Sequence, residues 1–528
     1  MPYSIETYQE PFWAKSANFV RGRDPLGVQN SSISVYGKLL PGMTNLTLRL
    51  RYYGMYLWLL DEYDNLPTGH ELFLNADGQY NFIRRAELLL AYLMTNNHDT
   101  VQSVIGSDYV KRYKTDLEAN GHYDIKAGAD TTNKDTERGV YWAYKSGALG
   151  QYYAGSLISL GLIHTKADRF FRTDDKGLDL ANAYKGSISE EVAELFLERI
   201  LEGKLYEQDL TDLDNIALNK NYRNTPEGDF YCNMLLADDG PKSKTITGEI
   251  PNQRKNSLKL FLNYMDSTED ENSWKVFPRH MYSSFFANNV DDATEAEQGW
   301  YYYYLNELAH HSLETVFWGM LMEMGDGKYT IEQFIGLIGI KVEEYQKEQY
   351  STLNGNVADI IEHLDDSFET LDIIDQVKSI VKSKDSYQGI TTGLIALLAL
   401  YRDNAENIDK AEIYATTHSV NQKHGNAIDI FRDYVDRNKP FNFKDFASRV
   451  AHYLINEHVN IAYGKMRDSK KNLLKFIVED GYLIHIETME PNFTNPRLRT
   501  LYNFTRDLNL LDENNKLTVT GKNIISEA

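Results

Sequence analysis

The chain of 528 residues carries a formal net charge of −22, and 42% of its residues are hydrophobic and 12% aromatic. This length is sufficient for two to four domains with their own cores, and the composition excludes extended disorder. The acidic balance disfavours non-specific attraction of the whole surface to nucleic acid or to anionic membranes.

The single cysteine, Cys232, excludes an internal disulfide and any zinc or iron–sulfur site built from several cysteines of one chain. The N-terminus lacks the basic start and the apolar run of a signal peptide. The longest apolar run, residues 390–401, is too short to span a bilayer and is typical of a buried helix. We therefore expect a cytoplasmic protein without membrane contact.

Helical patterns dominate the chain from its first periodic segment onward. A helix is predicted to begin at Thr44 or Asn45, both suitable N-caps, and to end near Tyr63. Further helices are predicted over residues 81–94 and 141–160, and the second of these is rich in aromatic and small side chains.

Alternation typical of strands is scarce and is clearest in residues 482–487 and 516–520. The sequence therefore predicts a mainly α fold, a multi-helical scaffold in which two segments carry short β ribbons. Three domains are expected: an N-terminal helical domain over residues 1–186, a central helical domain over 187–440, and a C-terminal helix with a small module over 441–528.

Residues 147–184 and 499–528 share one order of elements. Each segment has a helix that ends in a Leu-X-Leu corner, a charged turn, a strand, a threonine and, three or four residues later, a glycine in a closing helix. The pairs are Thr173 with Gly177 and Thr518 with Gly521. The threonine is expected to cap the closing helix, and the glycine to relieve a tight turn.

This order resembles the second half of winged-helix domains, as found in bacterial regulators and in kleisin-type subunits. The resemblance covers 30 to 45 residues each time and implies a binding module, because winged helices bind DNA in some families and only proteins in others. Residues 139–186 carry a net charge of +2 and residues 460–528 a net charge of +1, so the rest of the chain carries −25. The two modules are thus the parts of the chain that repel DNA least, although neither is strongly basic.

The C-terminal module contains the candidate DNA-contacting face. Arg499, Asn503 and Arg506 follow helical spacing on a helix predicted to begin at Pro496, with Asn495 as its cap. Arg and Asn side chains can bind guanine and adenine edges with two hydrogen bonds each. The full set of candidate DNA-binding residues is Lys470, Lys471, Arg497, Arg499, Asn503 and Arg506. The alternative is an ordinary solvated helix face, and the helix of the first module, whose one charged residue is Lys145, favours protein docking instead.

A second candidate site lies on the predicted helix over residues 298–324. Glu307, His310, His311 and Glu314 form a polar stripe on an otherwise apolar helix, and the Glu-X-X-His spacing of the first two matches that of carboxylate-bridged di-metal sites. Such a site needs a second Glu-X-X-His, which the sequence does not contain. The alternative interpretation is a structural stripe whose histidines are hydrogen-bonded inside the protein.

Nucleotide-binding, zinc-protease and serine-hydrolase motifs are absent from the sequence, so no cofactor is expected. We predict a non-catalytic scaffold or adaptor of a bacterial DNA-processing or phage-defence machine, which docks protein partners and contacts double-stranded DNA through its C-terminal module. Homo-oligomerisation is a further expectation. The alternatives are a metal-dependent or acid–base enzyme centred on Glu307, His310, His311 and Glu314, and a transcription regulator.

Overall fold

The computed structural model describes residues 24–67, 70, 72, 76–220, 222–237, 253–269, 273–287, 292–325, 327–364, 368–420, 425–466 and 473–526. The helices in chain order are α1 Gln29–Leu39, α2 Arg51–Asp64, α3 Ala76–Asn97, α4 Ser107–Arg112, α5 Asp116–Asn120, α6 Ile125–Ala129, α7 Ala154–Ser159, α8 Lys176–Lys185, α9 Glu190–Glu202, α10 Glu207–Asp212, α11 Pro226–Leu236, α12 Gln253–Ser267, α13 Phe277–Ala287, α14 Glu295–Met324, α15 Ile331–Gln349, α16 Val357–His363, α17 Thr370–Ser383, α18 Ser386–Asn404, α19 Ile408–Thr417, α20 Ala427–Ile430, α21 Phe443–Met466, α22 Leu498–Asp507 and α23 Val519–Ser526.

Short antiparallel strands accompany these helices: β1 Tyr123–Asp124, β2 Ile163–Lys166, β3 Arg169–Arg172, β4 Lys204–Leu205, β5 Tyr329–Thr330, β6 Phe476–Glu479 and β7 Tyr482–His485. They form the pairs β1–β4 and β2–β3 and the three-stranded sheet β5–β7–β6. The predicted mainly α fold is therefore confirmed. Across the described ranges, no helix is long and apolar enough to cross a membrane.

The chain forms two compact units that interleave along the sequence. Unit 1 comprises Met1–Tyr36 and Pro278–Thr494, and unit 2 comprises Gly37–Phe277 and Asn495–Ala528. These boundaries differ from the three consecutive domains expected from the sequence, and independent folding of those three domains stays a prediction.

The core of unit 1 is built around α14 and α18, which are buried on nearly every side. A capping box of Thr294 and Glu297 starts α14. The two helices approach so closely that a Cβ atom added to Gly319 would lie 2.6 Å from the carbonyl oxygen of Ser386, and one on Gly393 would lie 2.8 Å from that of Ser312. Glycines therefore set the spacing of this helix pair.

The core of unit 2 is built around α2. The ring of Tyr53 on this helix makes edge-to-face contacts with Tyr153, at 5.5 Å between ring centroids, and with Phe504, at 6.0 Å. Tyr153 belongs to the first of the two similar segments and Phe504 to the second. Both segments therefore pack against the same helix of unit 2.

Two helix boundaries differ from the predictions in the N-terminal part. Helix α2 begins at Arg51 rather than at Thr44 or Asn45, because Thr44 and Thr47 bond each other and nearby backbone groups in a turn. The helix predicted over residues 141–160 is regular only in its second half, as a π-helical turn over Leu149–Tyr153 followed by α7.

Buried side chains of α3 explain the shortened helix. Arg84 donates hydrogen bonds to the carbonyl oxygens of Trp142 and Tyr144. Glu87 accepts from the backbone N–H groups of Ala148 and Leu149, at 3.1 and 2.9 Å. Backbone groups that would form the first turns of a helix are therefore bound to another helix instead.

The two similar segments share a detailed geometry, which we call the threonine corner. Each contains a left-handed residue, Gly161 at φ +69° or Asn509 at φ +55°. The hydroxyl of Thr173 donates to the carbonyl oxygen of Gly161 at 3.0 Å, and the hydroxyl of Thr518 donates to that of Asn509 at 2.5 Å. The same hydroxyls accept from the N–H groups of the glycines of the closing helices, Gly177 and Gly521.

The closing glycines are required by close contact, since a Cβ atom on Gly177 or Gly521 would lie 2.3 Å from the carbonyl oxygen of Leu162 or Leu510, respectively. The predicted cap is confirmed at Thr518, which directly precedes α23, whereas Asp175 precedes α8 and Thr173 binds the first turn of that helix from two residues further upstream. The glycines permit close packing against a carbonyl oxygen rather than the predicted tight turn. The predicted strand over residues 516–520 is reduced to a single bridge between Leu511 and Leu517, because α23 begins at Val519.

Removing either corner hydroxyl should weaken unit 2. Thr173→Val and Thr518→Val each leave a carbonyl oxygen and an N–H group without their partner, so each variant should lose about 1–2 kcal/mol of unfolding free energy. Urea denaturation would measure the loss. Thr165→Val on the exposed strand β2 is the matched control and should change stability by less than about 0.5 kcal/mol. Equal stability of all three variants would contradict a structural role for the corner.

Candidate functional site: the polar stripe of helix α14

The polar stripe predicted on α14 is present and is enclosed by the protein. Glu307, His310 and Glu314 have no exposed side-chain surface, and His311 is 7% exposed. Because the four residues lie three or four positions apart, their side chains follow one face of the helix over two turns.

An extended segment occupies this face. The chain leaves β7 without regular structure, and we call residues 486–494 the strap. Glu307 accepts two hydrogen bonds from Thr494, one from its backbone N–H and one from its hydroxyl, both at 2.6 Å. The Nε2 atom of His310 lies 3.1 Å from the carbonyl oxygen of Asn492, and Glu314 accepts from the backbone N–H of Asn492 at 2.9 Å. Three polar side chains of α14 therefore bind the backbone of the strap.

The side chains of Glu307, His310 and Glu314 also interact electrostatically with one another. The Nδ1 atom of His310 lies 3.5 Å from a carboxylate oxygen of Glu307. Burial alone would lower the pKa of His310, but the carboxylates of Glu307 and Glu314 outweigh it and raise that pKa above its usual value. Burial raises the pKa of Glu314 to about 7, although His310 and the Asn492 N–H act against it. The second oxygen of Glu314 accepts from the amide of Gln29 at 2.8 Å.

His311 belongs to a different environment. Its ring stacks on Phe493 of the strap, with 4.4 Å between centroids and 15° between planes. Burial lowers its pKa to about 3, so the ring is neutral near pH 7. Its Nδ1 atom is buried without a hydrogen bond to any described residue. His311 is therefore a packing residue for the strap.

The arrangement can bind backbone and hold protons, and its acids and bases are covered by the chain itself. In the part of the chain that the structure describes, no group of three or more His, Cys, Asp or Glu side chains is arranged to hold a metal ion. The residues that sequence reasoning missed are Gln29, Asn492 and Thr494. The flanking Pro491 and Pro496 indicate an extended segment there, but no local pattern identifies the helix that binds it.

The candidate DNA-binding residues do not form one open face. Arg499 is exposed, whereas Asn503 is partly buried and donates to the carbonyl oxygen of Leu48. Arg506 is also partly buried, and its Nη1 atom makes no hydrogen bond among the described residues. Lys470 and Lys471 lie outside the described residues.

The start of the candidate helix also differs from the prediction. Helix α22 begins at Leu498 rather than at Pro496, and Asn495 is not its cap. Arg497 precedes the helix in a left-handed conformation, at φ +64°, and its guanidinium donates to the carbonyl oxygen of Leu40. The N-terminal end of α22 is thus fixed by contacts within unit 2.

No known protein family, curated protein or solved structure gives a significant match to this chain. The helix, ribbon and helix order is observed in the first segment, and the second has a single bridge in place of the ribbon. Membership of both segments in the winged-helix class stays a prediction.

Proposed function

We propose that this chain is a non-catalytic scaffold or adaptor that docks protein partners in a bacterial DNA-processing or phage-defence complex. The observation that supports this proposal is the occupancy of the α14 stripe: the acids and the base that suggested an enzyme are buried and bound to the strap. A catalytic acid or base must reach its substrate within hydrogen-bond distance. The place of the scaffold in a DNA-processing or defence complex rests on the resemblance of its two threonine-corner segments to winged-helix subunits.

Co-expression with the products of the neighbouring genes tests the scaffold proposal. We expect the tagged chain to elute with at least one of these products in fixed stoichiometry, measured by native mass spectrometry. If the chain elutes without any of these products, and if it has an enzymatic activity that Glu307→Gln abolishes, the enzyme alternative would be favoured instead. Elemental analysis for stoichiometric Fe, Mn or Zn separates a metal-dependent enzyme from an acid–base enzyme.

Contact with double-stranded DNA is the second part of the proposal, and Arg499 is the exposed residue among the described candidates. Fluorescence anisotropy with a labelled duplex should show an affinity that falls steeply with salt concentration. Arg499→Ala should weaken binding about tenfold, because one arginine contact to a base or a phosphate is lost. Arg506→Ala should cause a smaller loss of affinity, since this side chain is partly buried.

The matched control is Lys522→Ala, which removes one exposed charge from α23 in the same unit. If Arg499→Ala and Lys522→Ala bind the duplex equally well, the face proposed on α22 does not contact DNA. Strong preference for one duplex sequence over others would favour the alternative of a transcription regulator.

A further inference from the structure

The ring of His310 lies between two hydrogen-bond acceptors. Its Nε2 atom lies 3.1 Å from the carbonyl oxygen of Asn492, and its Nδ1 atom lies 3.5 Å from a carboxylate oxygen of Glu307. A neutral imidazole carries one N–H group, so one of its nitrogens would direct a lone pair at an acceptor. A protonated imidazolium donates from Nε2 to Asn492 and places its positive charge at ion-pair distance from the Glu307 carboxylate, although Nδ1 makes no hydrogen bond to a described residue. The geometry therefore favours the charged ring.

Glu314 is the second titratable group that holds the strap. Its two oxygens accept from the N–H of Asn492 and from the amide of Gln29. Glu314 shares the buried site with the carboxylate of Glu307, and the buried side chain of Asp24 helps to raise the pKa of Glu314. Among the described residues, the other ionisable groups nearby include the neutral His311, the hydroxyls of Tyr303 and Tyr304, and Lys465, which donates to the backbone oxygen of Asp24.

We propose that Glu307, His310 and Glu314, together with Asn492 and Thr494, form a proton-dependent latch that holds the strap on α14 and opens as the pH rises. In the closed latch, the protonated His310 joins Glu307 to the strap and offsets the negative charge of the Glu307 carboxylate, and Glu314 retains its proton. When protons leave, two carboxylates and a neutral histidine remain in a buried site. Ionised carboxylates without a compensating cation are costly in such surroundings, so the strap separates from α14 and water reaches these groups.

The direction of the pH effect follows from both titrating groups. The pKa of His310 is raised in the closed state above its ordinary value of about 6.5. The contribution of His310 to the stability of the closed latch is therefore complete below pH 6.5 and is lost as the pH rises through the higher pKa. The pKa of Glu314 is raised from 4.5 to about 7, so its contribution is complete below 4.5 and is lost as the pH rises through about 7. Both groups therefore weaken the latch as the pH rises.

Hydrogen exchange of the full-length protein tests the latch. Amide exchange at Asn492 and Thr494 is followed by mass spectrometry between pH 6 and pH 8.5 and is corrected for the intrinsic pH dependence of exchange. We expect protection at these two amides to fall about tenfold from the titration of Glu314 alone, and further from that of His310. Protection that is independent of pH after this correction would overturn the proposal.

Two backbone amides of unit 1 serve as internal controls. The N–H of Val357 donates to the carbonyl oxygen of Phe441, a pair without a titratable group, and should show constant protection. The N–H of Lys475 donates to Nε2 of His458, whose pKa burial lowers to about 4, so its protection should fall toward acid rather than toward alkali. A parallel loss of protection at all three sites above pH 7 would indicate general unfolding of the unit and would contradict a local latch.

Glu314→Gln separates the latch from simple packing, because glutamine keeps the size and one acceptor oxygen while it removes the titration. In this variant the tenfold component of the pH dependence should disappear. The component from His310 should become smaller, because the Glu314 carboxylate helps to raise the pKa of His310, but it should persist through Glu307. The state of His310 can also be measured in the unaltered protein by nitrogen NMR. Two protonated ring nitrogens at pH 6.5 are expected, and a single protonated nitrogen would overturn the proposal even if the variant failed to fold.

Discussion

Glu307→Ala is expected to lower the unfolding free energy of unit 1 by about 3–5 kcal/mol, because it removes the carboxylate that forms an ion pair with the buried His310. It also removes the acceptor of two hydrogen bonds from Thr494. A buried group that loses its partner costs more than an exposed contact that is replaced by water. Urea denaturation with hydrogen exchange at the strap amides would measure the overall and the local loss together.

Glu297→Ala is the matched control on the same helix. Glu297 is only partly buried and closes the capping box with Thr294, so its removal should cost only about 1 kcal/mol. If the two variants lost the same stability, Glu307 would have to be solvated, and both the strap contacts and the latch would be contradicted.

Gly319→Ala is expected to destabilise unit 1 by about 3 kcal/mol. The added methyl group would lie 2.6 Å from the carbonyl oxygen of Ser386 and 2.6 Å from a side-chain carbon of Ile390. Neither distance is possible without movement of α14 away from α18, and overpacking of a dense core commonly costs about 1–3 kcal/mol. Thermal unfolding monitored by circular dichroism would detect the change.

The control for this variant changes stability in the opposite direction. Gly336 lies within α15 of the same unit, and outside the backbone of its own helix no atom of a described residue lies within 4 Å of a Cβ added there. Gly336→Ala should therefore stabilise the unit by about 0.5–1 kcal/mol through helix propensity. A similar loss of stability in both variants would show that the close approach of α14 and α18 does not explain the effect.

Sequence patterns predicted this fold best where a helix is long and surrounded by protein. The apolar period predicted the helices now seen as α14, α18 and α21. It failed at residues 141–146, because Arg84 and Glu87, some 60 positions away, bind backbone groups in and directly after this stretch. Periodicity describes how a segment would bury its own side chains, and it contains no information about a distant charged residue that binds its peptide groups.

The same limit applies to the two candidate sites. The spacing of Glu307, His310 and Glu314 correctly placed their side chains on one helix face, but the sequence did not show that the strap occupies this face. The spacing of Arg499, Asn503 and Arg506 suggested a face open to DNA, although Asn503 donates to the backbone of Leu48 within unit 2. A polar stripe looks the same in sequence whether solvent, a ligand or another part of the chain covers it.

The threonine corners define a pattern by which distant relatives of this chain can be found. The left-handed position tolerates Gly161 in one copy and Asn509 in the other, because these two residue types adopt a positive φ at least cost. The threonine hydroxyl binds a carbonyl oxygen 12 residues earlier in the first copy and 9 residues earlier in the second. The segment between the left-handed residue and the threonine therefore varies in length, while its two ends are constrained. Homologues should therefore exchange glycine and asparagine at these two positions, retain threonine and the closing glycine, and diverge freely in the ribbon between them.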